Sequence, residues 1–270
     1  MRIGSLTLGI AAVVLVVAAL EAQISVPTTL PPATRAGGNI TTTAPQGPLP
    51  RHANGRPDLT GLWLRRGGTG NIAQGLAKGE TMPLLPATLK RMQALQAKED
   101  PQTNCLPLAV PRGNPYPFRF VETPTHLFII NESMHGYRQV FMDGRKHPPA
   151  DELVATWHGH SIGWWEKDTL VIDTVGFNDK TWFDNYGHLH SDKLHVIERI
   201  TRKDLGNLDM EFTIDDPGAY SRTFKLNFNA QLMQNQELME YMCEENNQDA
   251  DHIEGLAAPG LEALKAKPGN

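Results

Sequence analysis

Histidines, a glutamate and tryptophans crowd between residues 157 and 198, and side chains of these types could move protons or hold a metal ion. Trp157-His158-Gly159-His160 and Gly187-His188-Leu189-His190 each carry a His-x-His pair, and His195 follows. In extended backbone, residues two apart point the same way, so either pair could present two imidazoles to one ion. His188, His190 and His160 with a nearby carboxylate would suit Zn²⁺ or another divalent transition metal. Without a metal, a neutral His positioned by Asp173 or Asp179 could abstract a proton while Glu198 donates one. The catalytic set on this reading is Glu198, His160, His190 and Asp173.

Glu198 stands out by its row. Leu194, Val196 and Ile200 share one face of an extended segment, and Glu198 falls among them, with His195, Ile197 and Arg199 opposite. A carboxylate in an apolar row is costly unless paired or hydrogen-bonded, which makes it a candidate acid/base or metal ligand. The competing expectation is a structural ion pair with an arginine such as Arg138 or Arg119. Trp157, Trp164, Trp182 and Tyr186 lie in the same stretch and, with Arg138, would form the substrate-binding wall of an apolar pocket carrying a few polar groups.

Other chemistries find no support. Ser161 lies in His160-Ser161-Ile162-Gly163, which lacks the first glycine of a nucleophile elbow. There is no Walker loop, dinucleotide fingerprint or calcium loop. His188-x-His190 lacks the glutamate of a cupin motif, since Leu194 and His195 occupy that distance. The 270 residues carry a net charge of −5 without a basic run, which argues against nucleic acid as a partner. A small-molecule substrate or ligand is the expected partner.

The elements that must position these groups are short. With 24 Gly and 20 Pro, the chain suits strands and tight turns better than long helices. Residues 86–97 are the best helix candidate, with Leu89, Met92 and Leu95 on one face. Strands are expected over 117–122, 126–131, 137–142, 162–165, 169–174, 194–202, 208–214, 222–231 and 237–243. Asp143-Gly144 after the third of these is a hairpin signal. Leu208, Met210, Phe212 and Ile214, then Phe224, Leu226, Phe228 and Ala230, alternate as inner-wall rows. Such a series must curl to hide its edges. The expected fold is therefore mainly β, an antiparallel up-and-down barrel or strongly bent sandwich of calycin-like form, with a short helical N-terminal segment.

Residues 1–22 resemble a signal peptide, with Arg2 ahead of an apolar run and Ala22 where cleavage would fall. The run is shorter than a membrane span usually needs, so a membrane is a partner only if the segment stays uncleaved. Residues 23–56 form a Pro/Thr-rich leader, 57–247 a single barrel domain, and 248–270 a flexible tail. In an oxidising compartment, periplasmic or extracellular, the pair Cys105 and Cys243 favours a disulfide.

Several strings carry a resemblance. They are Gly159-His160-Ser161-Ile162-Gly163-Trp164, then Asp168-Thr169-Leu170-Val171-Ile172-Asp173-Thr174 with Gly176-Phe177-Asn178-Asp179, then Leu194-His195 to Glu198-Arg199. Pro57 to Trp63, Asn104-Cys105-Leu106-Pro107, Met142-Asp143-Gly144-Arg145 and Tyr241 to Asn247 extend the set over most of residues 57–247. Together they resemble a large family of secreted bacterial proteins of unknown function. The resemblance implies export and supplies no activity or catalytic residues.

The function expected from these residues is a secreted hydrolase, or a lyase or isomerase, acting on a small, partly apolar organic molecule. Its cofactor would be a divalent metal, zinc first, or none. The alternative is a lipocalin-like binding protein without catalysis.

Overall fold

The structure, a computed structural model, describes residues 43–68, 70–108, 110–112, 116–133, 136–245 and 253–257. The expected signal peptide, most of the leader and most of the tail lie outside them. No helix among the described residues is long and apolar enough to cross a membrane.

Nine strands close into a barrel in sequence order. They are β1 (Leu62–Arg66), β2 (Phe118–Glu122), β3 (His126–Asn131), β4 (Tyr137–Phe141), β5 (His160–Glu166), β6 (Thr169–Val175), β7 (His195–Arg202), β8 (Asn207–Asp215) and β9 (Phe224–Leu232). Closure is made by β9 pairing antiparallel with β1, Trp63 opposite Leu232. A ring of strictly antiparallel neighbours needs an even number of strands, so nine require at least one parallel pair. That pair is β4 and β5, with Val140 opposite Ser161. The barrel is thus mixed where sequence alone suggested a uniform up-and-down order.

Two strand expectations change. Residues 237–243 are not a strand, while Leu62–Arg66 is. Asp143-Gly144 does make a turn, with Gly144 at φ +80°, but no hairpin follows it. Pro148 and Pro149 lack the amide hydrogens a returning strand needs. The chain instead travels back along the barrel and enters β5 parallel to β4.

The inner rows alternate as their sequence pattern requires. Val196, Glu198, Ile200 and Arg202 of β7 are buried, as are Leu208, Met210, Phe212 and Ile214 of β8. Phe224, Leu226, Phe228 and Ala230 of β9 complete that side of the core. Burying such rows at ~25 cal/mol per Å² of apolar surface is the main force holding the sheet closed.

The two ends of the barrel differ. At one end tight connections link β2 to β3, β5 to β6 and β7 to β8. At the other, long segments 67–117 and 176–194 run between β1 and β2 and between β6 and β7. The first contains helix α1 (Pro86–Ala94), whose Met92 packs with Leu95, Trp182 and Leu189. Pro86 at the first helical position costs no hydrogen bond there.

The chain after β9 returns to the long-loop end. Met239 N–H donates to Glu132 at 3.0 Å, the rings of Tyr116 and Tyr241 stand 4.8 Å apart, and a disulfide joins Cys105 to Cys243. Ordered contacts also extend past the expected domain bounds. Gly47 accepts from Leu205 N–H, and Ala257 N–H donates to Leu95 beyond α1.

A charged cavity inside the barrel

Between the strands and the long loops lies a cavity of ≈ 90 Å³. Phe118, Phe120, Ile129, Met210 and Phe212 supply apolar wall, while Arg65, Arg112, Arg138, His158 and Glu198 supply charged and imidazole groups. Each barrel residue faces inward by the two-residue alternation of its strand.

Glu198 accepts a hydrogen bond from Arg138 Nη2 across the interior, and both side chains are almost wholly buried. The buried ion pair weighed in sequence is the arrangement present. It answers part of the desolvation cost of each charge. Arg112 is held by Asp100 through two parallel bonds of 2.7 Å and also reaches Gln102 and Asn185, which ties the covering loops together. His158 is pushed down to about 4 by burial and by the positive charge of Arg138, so its ring is neutral at ordinary pH.

Arg65 of β1 is 7% exposed and donates from Nη1 to the Pro111 carbonyl at 2.7 Å. Its guanidinium carbon stands 4.3 Å above the Phe228 ring. Gly68, at φ +74°, lets the following loop close over this ring, since a Cβ there would sit 2.4 Å from Phe228.

The remaining sequence candidates lie elsewhere. His160 and Asp173 point outward from β5 and β6, because Ser161 and Thr174 beside them face in. On that outer face His160 and His147 meet through their Nδ1 atoms at 2.8 Å, and His147 Nε2 is 3.4 Å from Asp173. His195 Nε2 donates to Asp173 at 2.6 Å. The bond from His195 and the nearby imidazoles outweigh burial and hold Asp173 below its ordinary value, while Asp173 holds His195 above its own.

His188 and His190 sit in segment 176–194, outside the cavity lining. His188 donates from Nδ1 to Asp184 Oδ2 at 2.6 Å, and Asp184 also accepts from the Ile72 and Tyr186 amides. His190 donates from Nδ1 to the Ser191 carbonyl and accepts from the Thr181 hydroxyl at Nε2. Its ring stacks on Phe183 at 5.2 Å, and burial lowers its proton affinity. The structure therefore does not bring His160, His188 and His190 to one point. Among the described residues the group whose ligand atoms do converge is His52, Asp58 and Glu122, half-buried and away from the cavity lining.

Of the expected substrate wall, Arg138 lines the cavity. Trp182 is buried against α1, and Trp164 and Tyr186 are exposed on the outside. Trp157 lies 6.0 Å from the Lys180 ammonium. Sequence reasoning missed His158 and Arg65 as cavity residues. His158 was visible only as half of a His-x-His pair, and Arg65 followed an unbroken Leu62-Trp63-Leu64 run with no alternation to orient it.

Fold and cavity together define a closed nine-stranded barrel with a charged, aromatic-walled interior. No family model, curated protein or solved structure matches the chain.

Proposed function

We propose that this protein binds a small, partly apolar organic molecule inside its barrel after export to the periplasm or the cell exterior. The observation that carries the reading is the cavity itself, where aromatic wall and a few fixed polar groups line one space. Export is supported by the Cys105–Cys243 disulfide, which persists in oxidising compartments, and by the signal-like start and family resemblance of the sequence. Binding is the leading activity because His160, His190 and Asp173 are engaged away from the cavity.

Catalysis is a second reading, favoured by one observation: neutral His158 and carboxylate-bearing Glu198 line the same space. A neutral imidazole keeps a ring lone pair, so lyase or isomerase chemistry would use His158 as base, a weak one because burial and Arg138 hold its proton affinity down. On this reading no metal is required, and zinc is assigned no role in the barrel.

The test is native mass spectrometry of protein isolated from the periplasm, with the Met210→Trp variant as control. Wild type should carry a small molecule or take one up from a metabolite extract, and the filled cavity should not. Equal uptake by both proteins, or none by either, would rule out the barrel as the binding site.

A further inference from the structure

Charge inside the cavity narrows the chemistry of the ligand it would take. Arg138 is matched by Glu198 and Arg112 by Asp100. Glu198 is the one carboxylate among the described residues lining the cavity. Among the described residues Arg65 has no carboxylate: its Nη1 reaches only the Pro111 carbonyl, while Nε and Nη2 are buried without a partner. The cavity thus holds one positive charge in excess.

The unpartnered atoms are informative in kind. Nε and Nη2 lie along one edge of a guanidinium, and that edge is the fork that receives both oxygens of a carboxylate in parallel. A buried cation with three of its five N–H donors unused is costly, and a leucine or methionine would pack at this position without the cost. The Phe228 face beneath the guanidinium offsets part of it but satisfies no N–H. A ligand oxygen pair would satisfy both donors at once.

Resting on the proposal that the barrel binds a small molecule, we infer that its ligand is a monocarboxylate, its carboxylate seated on the free edge of Arg65 and its apolar body against Phe118, Phe120 and Phe212. One excess charge matches a monoanion better than a phosphate dianion. His158, neutral mainly through burial, adds no second positive charge.

Calorimetric titration of the full oxidised protein tests this with matched probes: benzoate against benzamide, octanoate against octanamide, and phenyl phosphate as the dianion. The carboxylates should bind at least about tenfold more tightly than their amides, the span expected of a charge-assisted pair. In Arg65→Gln that ratio should fall to about one, and in Arg65→Lys, which keeps charge but loses the fork, to an intermediate value. Equal binding of acid and amide to wild type would overturn the carboxylate assignment while leaving the barrel as a binding site. Tighter binding of phenyl phosphate than of benzoate would overturn it too. Failure of every probe to bind would remove both this inference and the reading beneath it. The wild-type ratio stands by itself should the variants not fold.

Discussion

Arg138 on β4 and Glu198 on β7 meet inside the barrel although two strands, β5 and β6, separate them around its wall. The pair therefore spans the interior rather than a neighbouring register position, and it braces one side of the cavity against the other. Removing one partner leaves the other charge buried and alone, which costs about 3–5 kcal/mol. Glu198→Gln should lower stability in urea by that amount, and Arg138→Met/Glu198→Leu should recover most of it. A loss below about 0.5 kcal/mol, typical of surface substitutions, would contradict the burial of the pair.

His158 gives the protein an acid limit. Its folded value near 4 lies below the ordinary 6.5, so between those pH values the unfolded chain binds a proton that the folded chain does not. The stability it contributes is complete above pH 6.5 and is lost as pH falls toward 4, on the order of 2–3 kcal/mol. Burial pushes His190 the same way. Urea midpoints between these limits should fall with acid in wild type and fall less steeply in His158→Asn.

The outer pair His195 and Asp173 works with the opposite sign on the alkaline side. Asp173 raises His195, so its share of stability is complete below about pH 6.5 and is lost as pH rises through the folded value above it. Asp173 is lowered, so its share is complete above about pH 4 and is lost on further acidification. Proton NMR should find His195 titrating above the ordinary histidine value and His160, lowered by burial and by His147 and Arg145, titrating below it. In Asp173→Asn the His195 value should drop back toward 6.5.

How far the sequence revealed this arrangement depended on each strand's neighbours. Glu198 could be placed inside because β7 is covered on one face, and Val196 and Ile200 mark that face. In β6 the run Leu170, Val171, Ile172 is buried throughout, which hides the alternation that sends Asp173 outward. Arg65 was obscured in the same way by Leu62, Trp63 and Leu64, all buried on the strand that closes the ring. The parallel β4–β5 pair follows from the parity of the whole ring, which the local turn at Asp143-Gly144 does not encode. The barrel was legible from repeated short-range pattern, whereas the cavity's charge balance arises where distant strands meet.

Metal content separates the histidine pairs from their sequence promise. Both ring nitrogens of His190 are occupied by the Thr181 hydroxyl and the Ser191 carbonyl, and His188 Nδ1 by Asp184. A ligand needs a free lone pair, and the neutral His190 ring spends its single lone pair on Thr181. Elemental analysis after equilibration with zinc should give the same metal content for His190→Ala as for wild type. Zinc lost in that variant, with its fold retained, would restore His190 as a ligand.

Reduction should matter more than the small number of cysteines suggests. Cys105 lies just past a short helical turn in the β1–β2 segment, and Cys243 lies on the chain returning after β9, 138 residues later in sequence. Closing so long a loop restricts the unfolded chain strongly, by about 4–5 kcal/mol in the chain-entropy account. Both partners also anchor loops at the cavity end, where Tyr116 packs on Tyr241 and Arg112 holds Asp100. Cys105→Ser/Cys243→Ser should therefore lower the thermal midpoint by several degrees and loosen this end first. Hydrogen exchange should show residues 97–108 and 236–245 losing protection while β7, β8 and β9 keep theirs. Uniform loss across all strands would instead make the bridge part of the barrel's own cooperative unit.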